Sequence, residues 1–268
     1  SAFESSFLKG GYYAFSNPKL PNNCTLVLNT VQLMTNYIAD PKWNAHNGLA
    51  PAKSQLKWLT NELKVAKQAG QRVWLIYHVP PGIDAFSAKN NLDPQLNAKF
   101  LALLDTFGES IEAAFAGHSH LDSFRLINAK GKHPTWLHVS PSITPNHHRG
   151  RSAYQIFSYS SDSNATTIND YQTRHMDYST FGDSTWRVEY DWKRQFCHSE
   201  CSYNYDNLQW LYQQFSAAPS SSRYQRAYEA VTTLTMPDSG SSISRWHNTY
   251  CSIANLDHTS FTACRHPQ

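Results

Sequence analysis

The chain has 268 residues, 40% hydrophobic and 13% aromatic, enough for a packed core in one large domain or one and a half smaller ones. Lysine plus arginine exceed aspartate plus glutamate by 23 to 20 with no long basic block, so no nucleic-acid partner is expected. No apolar run approaches the roughly 20 residues that cross a bilayer, and SAFESSFLKGG at the start lacks the plan of a signal peptide, so the chain reads as soluble with any targeting segment already removed.

In chain order, GYYAF (11 to 15) and CTLVLNT (24 to 30) read as short strands. The period then changes. Leu56, Leu59, Leu63 and Ala66 recur at helical spacing, with Ser54 expected to cap the helix and Gly70 to end it. RVWLIYH (72 to 78) follows, completing a strand, helix and strand of the βαβ kind. A second helix is predicted over DPQLNAKFLALLDTF (93 to 107), and a strand over IEAAFAGHSH. SFRLIN, TWLHVSPS, AYQIFSYS and TTINDYQT read as four shorter, alternating and antiparallel strands. From 178 the composition turns to Tyr, Trp, Ser and Arg, with helices predicted near 204 to 218 and 223 to 235. The expected division is therefore 1 to 177 and 178 to 268.

Four of the five cysteines crowd the last quarter, Cys197 and Cys201 as C-x3-C, Cys251 and Cys264 as C-x12-C, with Cys24 left over. Four cysteines allow three pairings, and free thiols or a zinc site remain alternatives for the C-x3-C pair. The N-x-[ST] sequons at Asn23 and Asn164, the low charge and the clustered cysteines favour an oxidising compartment: secreted, lysosomal or periplasmic.

Two stretches carry chemistry. WLIYHVPPGIDAF (74 to 86) puts His78 where a buried strand meets a rigid turn, either as a metal ligand or as a core histidine with satisfied nitrogens. Its place at the carboxyl end of a strand in an α/β sheet favours ligand binding. In AGHSHLDSF (116 to 124), His118 and His120 would face opposite sides of a regular strand, but on a glycine-hinged loop both rings converge. A third histidine on a neighbouring strand end would make a half-cage of imidazoles.

YHVPPG and, about 40 residues later, GHSH resemble the last two motifs of the calcineurin-like metallophosphoesterases. GGYYAF, LVLNT, the block ending in IYHVPPG, GHSHLDSF, SPSITP, AYQIF and the terminal C-x12-C followed by RH are most similar to the acid sphingomyelinase-like phosphodiesterases, in that family's order. The resemblance implies an α/β metallophosphoesterase-type two-sheet sandwich flanked by helices, with a small helical Cys-rich C-terminal subdomain. It implies two divalent metal ions, zinc in this branch, with His78 and His118 on one and His120 on the other. It implies hydrolysis of a phosphodiester: a phosphocholine lipid, a nucleotide or another small soluble ester. The family's earlier motifs, of the types D-x-H, G-D-x-x-D and G-N-H-[DE], are missing, so the chain reads as the downstream half, its partner being the upstream half with the bridging carboxylate and the catalytic residues. Three imidazoles without a carboxylate should not hold a binuclear centre unaided. A noncatalytic secreted binding protein on the same scaffold is the alternative. Lesser candidates are Asn29 and Thr30 at a strand end, Asp84 and Asp122 as carboxylates orienting a ligand, and the polar loop NHHRGR (146 to 151) facing an anion, each with an ordinary turn or solvated role as the alternative.

Overall fold

The computed structural model describes residues 2–20, 22–40, 42, 48–127, 131–144, 151–162, 166–177, 185–197, 200–216, 222–232 and 243–266. Helix α1 (Ala2–Gly10) precedes strands β1 (Tyr13–Ser16) and β2 (Asn23–Leu28), a 3-10 turn (Thr30–Leu33) and the short α2 (Thr35–Ala39). Then come α3 (Ala50–Gln68), β3 (Arg72–Tyr77), α4 (Pro94–Phe107), β4 (Ile111–Ala116), β5 (Ser123–Ile127) and β6 (Thr135–Val139). A second group follows: β7 (Ala153–Ser161), β8 (Thr166–Asp177), β9 (Thr185–Asp191), α5 (Trp192–Phe196), α6 (Tyr205–Gln213), α7 (Arg223–Thr232), α8 (Ile243–Ala254) and α9 (His258–Arg265).

The first sheet has the order β1-β2-β3-β4-β6-β5. Strands β2, β3, β4 and β6 are parallel, flanked by antiparallel β1 and β5. The βαβ unit read from the sequence is present, with Leu26 beside Leu75 in register. Helix α3 buries Leu56, Leu59, Leu63 and Ala66 on one stripe, and α4 buries Leu96, Phe100, Leu104 and Phe107. Both stripes pack on Val73, Leu75, Ala114 and Leu137 of one sheet face. Each leucine, valine or phenylalanine so buried contributes about 1.5–3 kcal/mol by leaving water.

The helix ends follow local chemistry. Asp93 caps α4, its carboxylate accepting from the N–H groups of Gln95 and Leu96 at 3.0 and 3.1 Å. Ser54 does not cap α3: the helix begins a turn earlier at Ala50, with Pro51 in the first turn where its missing N–H costs nothing. Gly70 ends it in the left-handed region (φ 67°), with Gln71 N–H bonded to Ala66 O and Gly70 N–H to Lys67 O.

The other face of the first sheet packs against a three-stranded antiparallel sheet, β7-β8-β9. The layer between them is aromatic: Phe124, Trp136, Tyr171, Tyr190 and Tyr203, joined by residues of α5 to α8. Two expectations change here. β6 is parallel, beside β4, and both β5 and β6 are buried along their whole length instead of alternating, because helices cover one face and the second sheet the other. The change of composition at 178 does not end the second sheet, since β9 pairs with β8 from Thr185↔Asp177 to Asp191↔Gln172.

The disulfides are Cys197–Cys201 and Cys251–Cys264, with Cys24 free. Asn23, one of the two sequons, is 1% exposed and begins β2, so the folded strand leaves no room there for a glycan; Asn164 lies outside the described residues. Among the described residues no helix is long and apolar enough to cross a membrane.

Cys251 shares a small apolar cluster with Ile83 and Phe261, so the 13-residue staple supports the loop that leaves His78. Chain-entropy arithmetic gives a closed loop of this length about 3 kcal/mol. The double substitution Cys251→Ser with Cys264→Ser is expected to lower the unfolding free energy by that amount in urea titrations. A loss below about 1 kcal/mol would mean that packing alone holds α8 to α9.

Candidate metal centre

The parallel strands place their carboxyl ends on one edge of the first sheet, where α/β folds bind ligands. On β3, Tyr77 and Val79 are buried and His78 between them is exposed, as the strand alternation requires. The Val79 N–H donates to Thr30 Oγ1 at 2.8 Å, which commits Thr30 to holding this turn. Asn29 is likewise structural, its side-chain amide donating to Gly10 O at 3.0 Å. Gly82 adopts φ 99°, and its N–H donates to Asn97 Oδ1, whose amide donates to Leu256 O at 2.8 Å. A Cβ at position 82 would lie 2.9 Å from Leu256 Cδ2, so this turn requires glycine on conformational and steric grounds.

The β4 end lies beside it. Gly117 N–H donates to His78 O at 3.0 Å, and a Cβ at 117 would come 3.6 Å from His78 Nδ1. His118 and His120 both adopt left-handed backbone, φ 72° and 58°, a conformation that costs a non-glycine residue on the order of 1 kcal/mol. The His78 and His118 rings meet edge to face, centroids 5.3 Å apart. His78 is exposed along one side only: desolvation of its covered side by neighbouring groups, then the charge of His120, holds its pKa below the ordinary imidazole value. His118 is lowered by burial and then by His78, with Asp84 opposing and His120 adding a further small decrease. Both shifts favour the uncharged imidazole, the form with a lone pair to offer.

Asp84 is close enough to act on His118 electrostatically, but its Oδ1 accepts from the N–H groups of Phe86 and Ser87 at 3.1 and 2.6 Å, which holds it within its own turn. Asp84, Lys89, Asn36, Asn91 and His118 line a hollow of about 400 Å³. The sequence reading passes over Lys89 and Asn91, although their position between the His78 turn and α4 was a signal. A larger hollow of about 940 Å³ near the Cys197–Cys201 disulfide shares no residue with this edge. Asp122 does not face the hollow: it is 2% exposed and enclosed by hydroxyls of the second sheet. Of NHHRGR only Arg151 lies within the described residues, its Nη1 2.9 Å from His175 Nε2.

Among the described residues no three His, Cys, Asp or Glu side chains stand close enough together to hold a metal ion on their own. The donor chemistry nonetheless fits part of a divalent-metal shell, namely imidazoles on adjoining strand ends, with the carboxylate share not supplied by this edge.

No protein-family model matches the chain. Among curated proteins it is 33% identical over 143 residues to sphingomyelinase phosphodiesterase D of Dictyostelium discoideum, covering 51% of this chain and 32% of that protein. It is 26% identical over 270 residues to the cyclic GMP-AMP phosphodiesterase SMPDL3A of Mus musculus, covering 97% of this chain and 58% of that protein. It is 28% identical over 202 residues to acid sphingomyelinase-like phosphodiesterase 3b of Homo sapiens, covering 69% and 42%. The chain thus spans between 32% and 58% of the length of these relatives. The chain is thus similar over much of its length to proteins named as sphingomyelinase-type and acid sphingomyelinase-like phosphodiesterases.

Proposed function

We propose that this chain supplies the imidazole ligands of a metal-dependent phosphodiesterase of the acid sphingomyelinase-like type. The observation that carries the reading is the edge-to-face meeting of His78 and His118 at the carboxyl ends of β3 and β4, with His120 near enough to affect both. His78 and His118 would hold one divalent ion and His120 a second, with zinc the metal suited to imidazole. When bound, such ions lower the pKa of a water molecule and offset charge building on a phosphodiester. The chain's own contribution is to keep neutral nitrogens at fixed positions: Gly117 ties the loop to His78 O, and Thr30 and Asn97 brace the turn beneath.

The remaining ligands and the catalytic residues are assigned to an upstream half of the same enzyme, a segment with the missing carboxylate motifs. Candidate substrates are a phosphocholine lipid or a small soluble phosphodiester, including nucleotide esters. The two disulfides fit an oxidising compartment, secreted, lysosomal or periplasmic.

The test is the metal content and turnover of the enzyme as purified with this chain in it. About two zinc ions per complex and chelator-sensitive hydrolysis of bis(p-nitrophenyl) phosphate are expected. A metal-free protein without turnover would instead make the chain a noncatalytic binding module.

A further inference from the structure

The loop between β4 and β5 carries His118 and His120 in left-handed backbone, and such strain persists only where the surroundings over-determine it. At its start the loop is tied to the first sheet through Gly117 N–H and His78 O. Its far end is tied elsewhere. Asp122 N–H donates to Thr232 O of α7 at 3.1 Å. The Asp122 carboxylate receives Tyr190 Oη at 2.7 Å and Thr173 Oγ1 at 2.9 Å on one oxygen, and Tyr171 Oη at 3.3 Å on the other. Tyr171 and Thr173 belong to β8 and Tyr190 to β9, so all three donors come from the second sheet. The two tyrosine hydroxyls are themselves 2.8 Å apart, so the single Tyr171 proton is shared between Asp122 Oδ1 and Tyr190 Oη.

A carboxylate suits this cage in a way an amide does not. It offers only acceptors to three converging donors, whereas asparagine would turn an NH2 toward one of them. Leaving a buried donor without its acceptor costs its desolvation, and the backbone two residues away is already strained.

We propose that Asp122 is the positioning residue of this edge: it suspends the loop bearing His118 and His120 from the hydroxyls of Tyr171, Thr173 and Tyr190, and so sets where those rings stand relative to His78. The role in metal binding rests on the function proposed above; the role in ring placement does not. Asp122 touches neither metal nor substrate in this role and acts through the histidines.

The test compares the 268-residue chain with Asp122→Asn, with Thr173→Val as a milder change that removes one donor and keeps the carboxylate, and with Leu63→Ala as a control in the outer helix α3. Imidazole resonances of His78 and His118 in this chain report ring placement without metal, and competition with a chelator in the enzyme containing this chain reports affinity for zinc. Asp122→Asn is expected to shift both sets of ring resonances and to weaken zinc binding about 10–100-fold, the range for groups that orient a ligand from behind. Thr173→Val is expected to move the same resonances by less, and serves as the test if Asp122→Asn does not fold. Leu63→Ala is expected to lower the melting temperature and leave the resonances where they were. Unmoved His118 resonances in Asp122→Asn or, should that variant not fold, in Thr173→Val would overturn the proposal and leave Asp122 a structural residue. Resonances that move in Asp122→Asn, with no zinc bound even by the enzyme containing the wild-type chain, would uphold the positioning role and count against the metal centre.

Discussion

Replacing His118 by alanine in the enzyme containing this chain is expected to lower turnover on the order of 10³-fold or more and to reduce the bound zinc. The substitution removes a neutral nitrogen donor from the point where the ends of β3 and β4 meet, and no neighbouring group replaces it: Asp84 is engaged by Phe86 and Ser87 within its own turn. A 10³-fold effect corresponds to about 4 kcal/mol of transition-state stabilisation, within what a displaced metal would remove. The fold should survive, because His118 makes no core contact comparable to the aromatic layer, and alanine in its left-handed backbone adds a penalty on the order of 1 kcal/mol at most. Metal analysis with bis(p-nitrophenyl) phosphate kinetics checks the outcome. Wild-type zinc and wild-type turnover in His118→Ala would remove this residue from the ligand set and with it the role assigned to the 117–122 loop.

The second large effect concerns acid. His138 on β6 is fully buried; Tyr203 Oη lies 2.7 Å from its Nδ1 and Gln155 Oε1 2.7 Å from its Nε2. Because the glutamine oxygen only accepts, the proton sits on Nε2 and the tyrosine hydroxyl donates to Nδ1. Burial lowers the pKa to about 4 from the ordinary 6.5, with the Gln155 hydrogen bond opposing. The sign follows directly. A histidine kept neutral in the fold contributes stability above pH 6.5, and that stability is lost as pH falls toward 4, because the unfolded chain takes up the proton first. The magnitude is about 3 kcal/mol. Asp122 in the same buried layer works the other way. Its pKa is raised to about 6 by burial, against the hydrogen bonds of Tyr190, Thr173, Gln155 and Tyr171, so the fold gains stability as pH falls through that value toward 4. The two contributions oppose each other across this range, and the difference between wild type and His138→Gln isolates that of the histidine. Urea titrations at several pH values should show that difference falling by about 3 kcal/mol from pH 6.5 to pH 4. A difference that stays flat would mean that His138 titrates as an ordinary imidazole.

Much of the fold was legible because it is encoded in short periods. The stripe of Leu56, Leu59, Leu63 and Ala66 and the left-handed Gly70 are decided within a turn or two of helix, and both stand where the spacing puts them. Ser54 misled because a capping residue and an exposed serine inside a helix look alike in sequence, and Pro51 was the stronger signal. β5 and β6 were misread because alternation reports burial on one face, and these strands are covered on both. β9 escaped the reading altogether: TWRVEYD has strand character, but its pairing with β8 is a contact the local pattern does not contain.

The same division runs through the site. Residue types and short-range geometry, available from the sequence by itself, determined that His78 leaves a buried strand at a proline turn and that Gly117 lets the chain carry two histidines around a bend. Only the tertiary structure decided that the His78 and His118 rings meet, that Asp84 is held by its own turn, and that Asp122 points away into a hydroxyl cage built from β8 and β9. The physical reason is range. Backbone preference and amphipathic spacing act over a few residues, whereas the position of a side chain about 50 residues from its hydrogen-bond donor depends on how two sheets pack, and that is a property of the whole core.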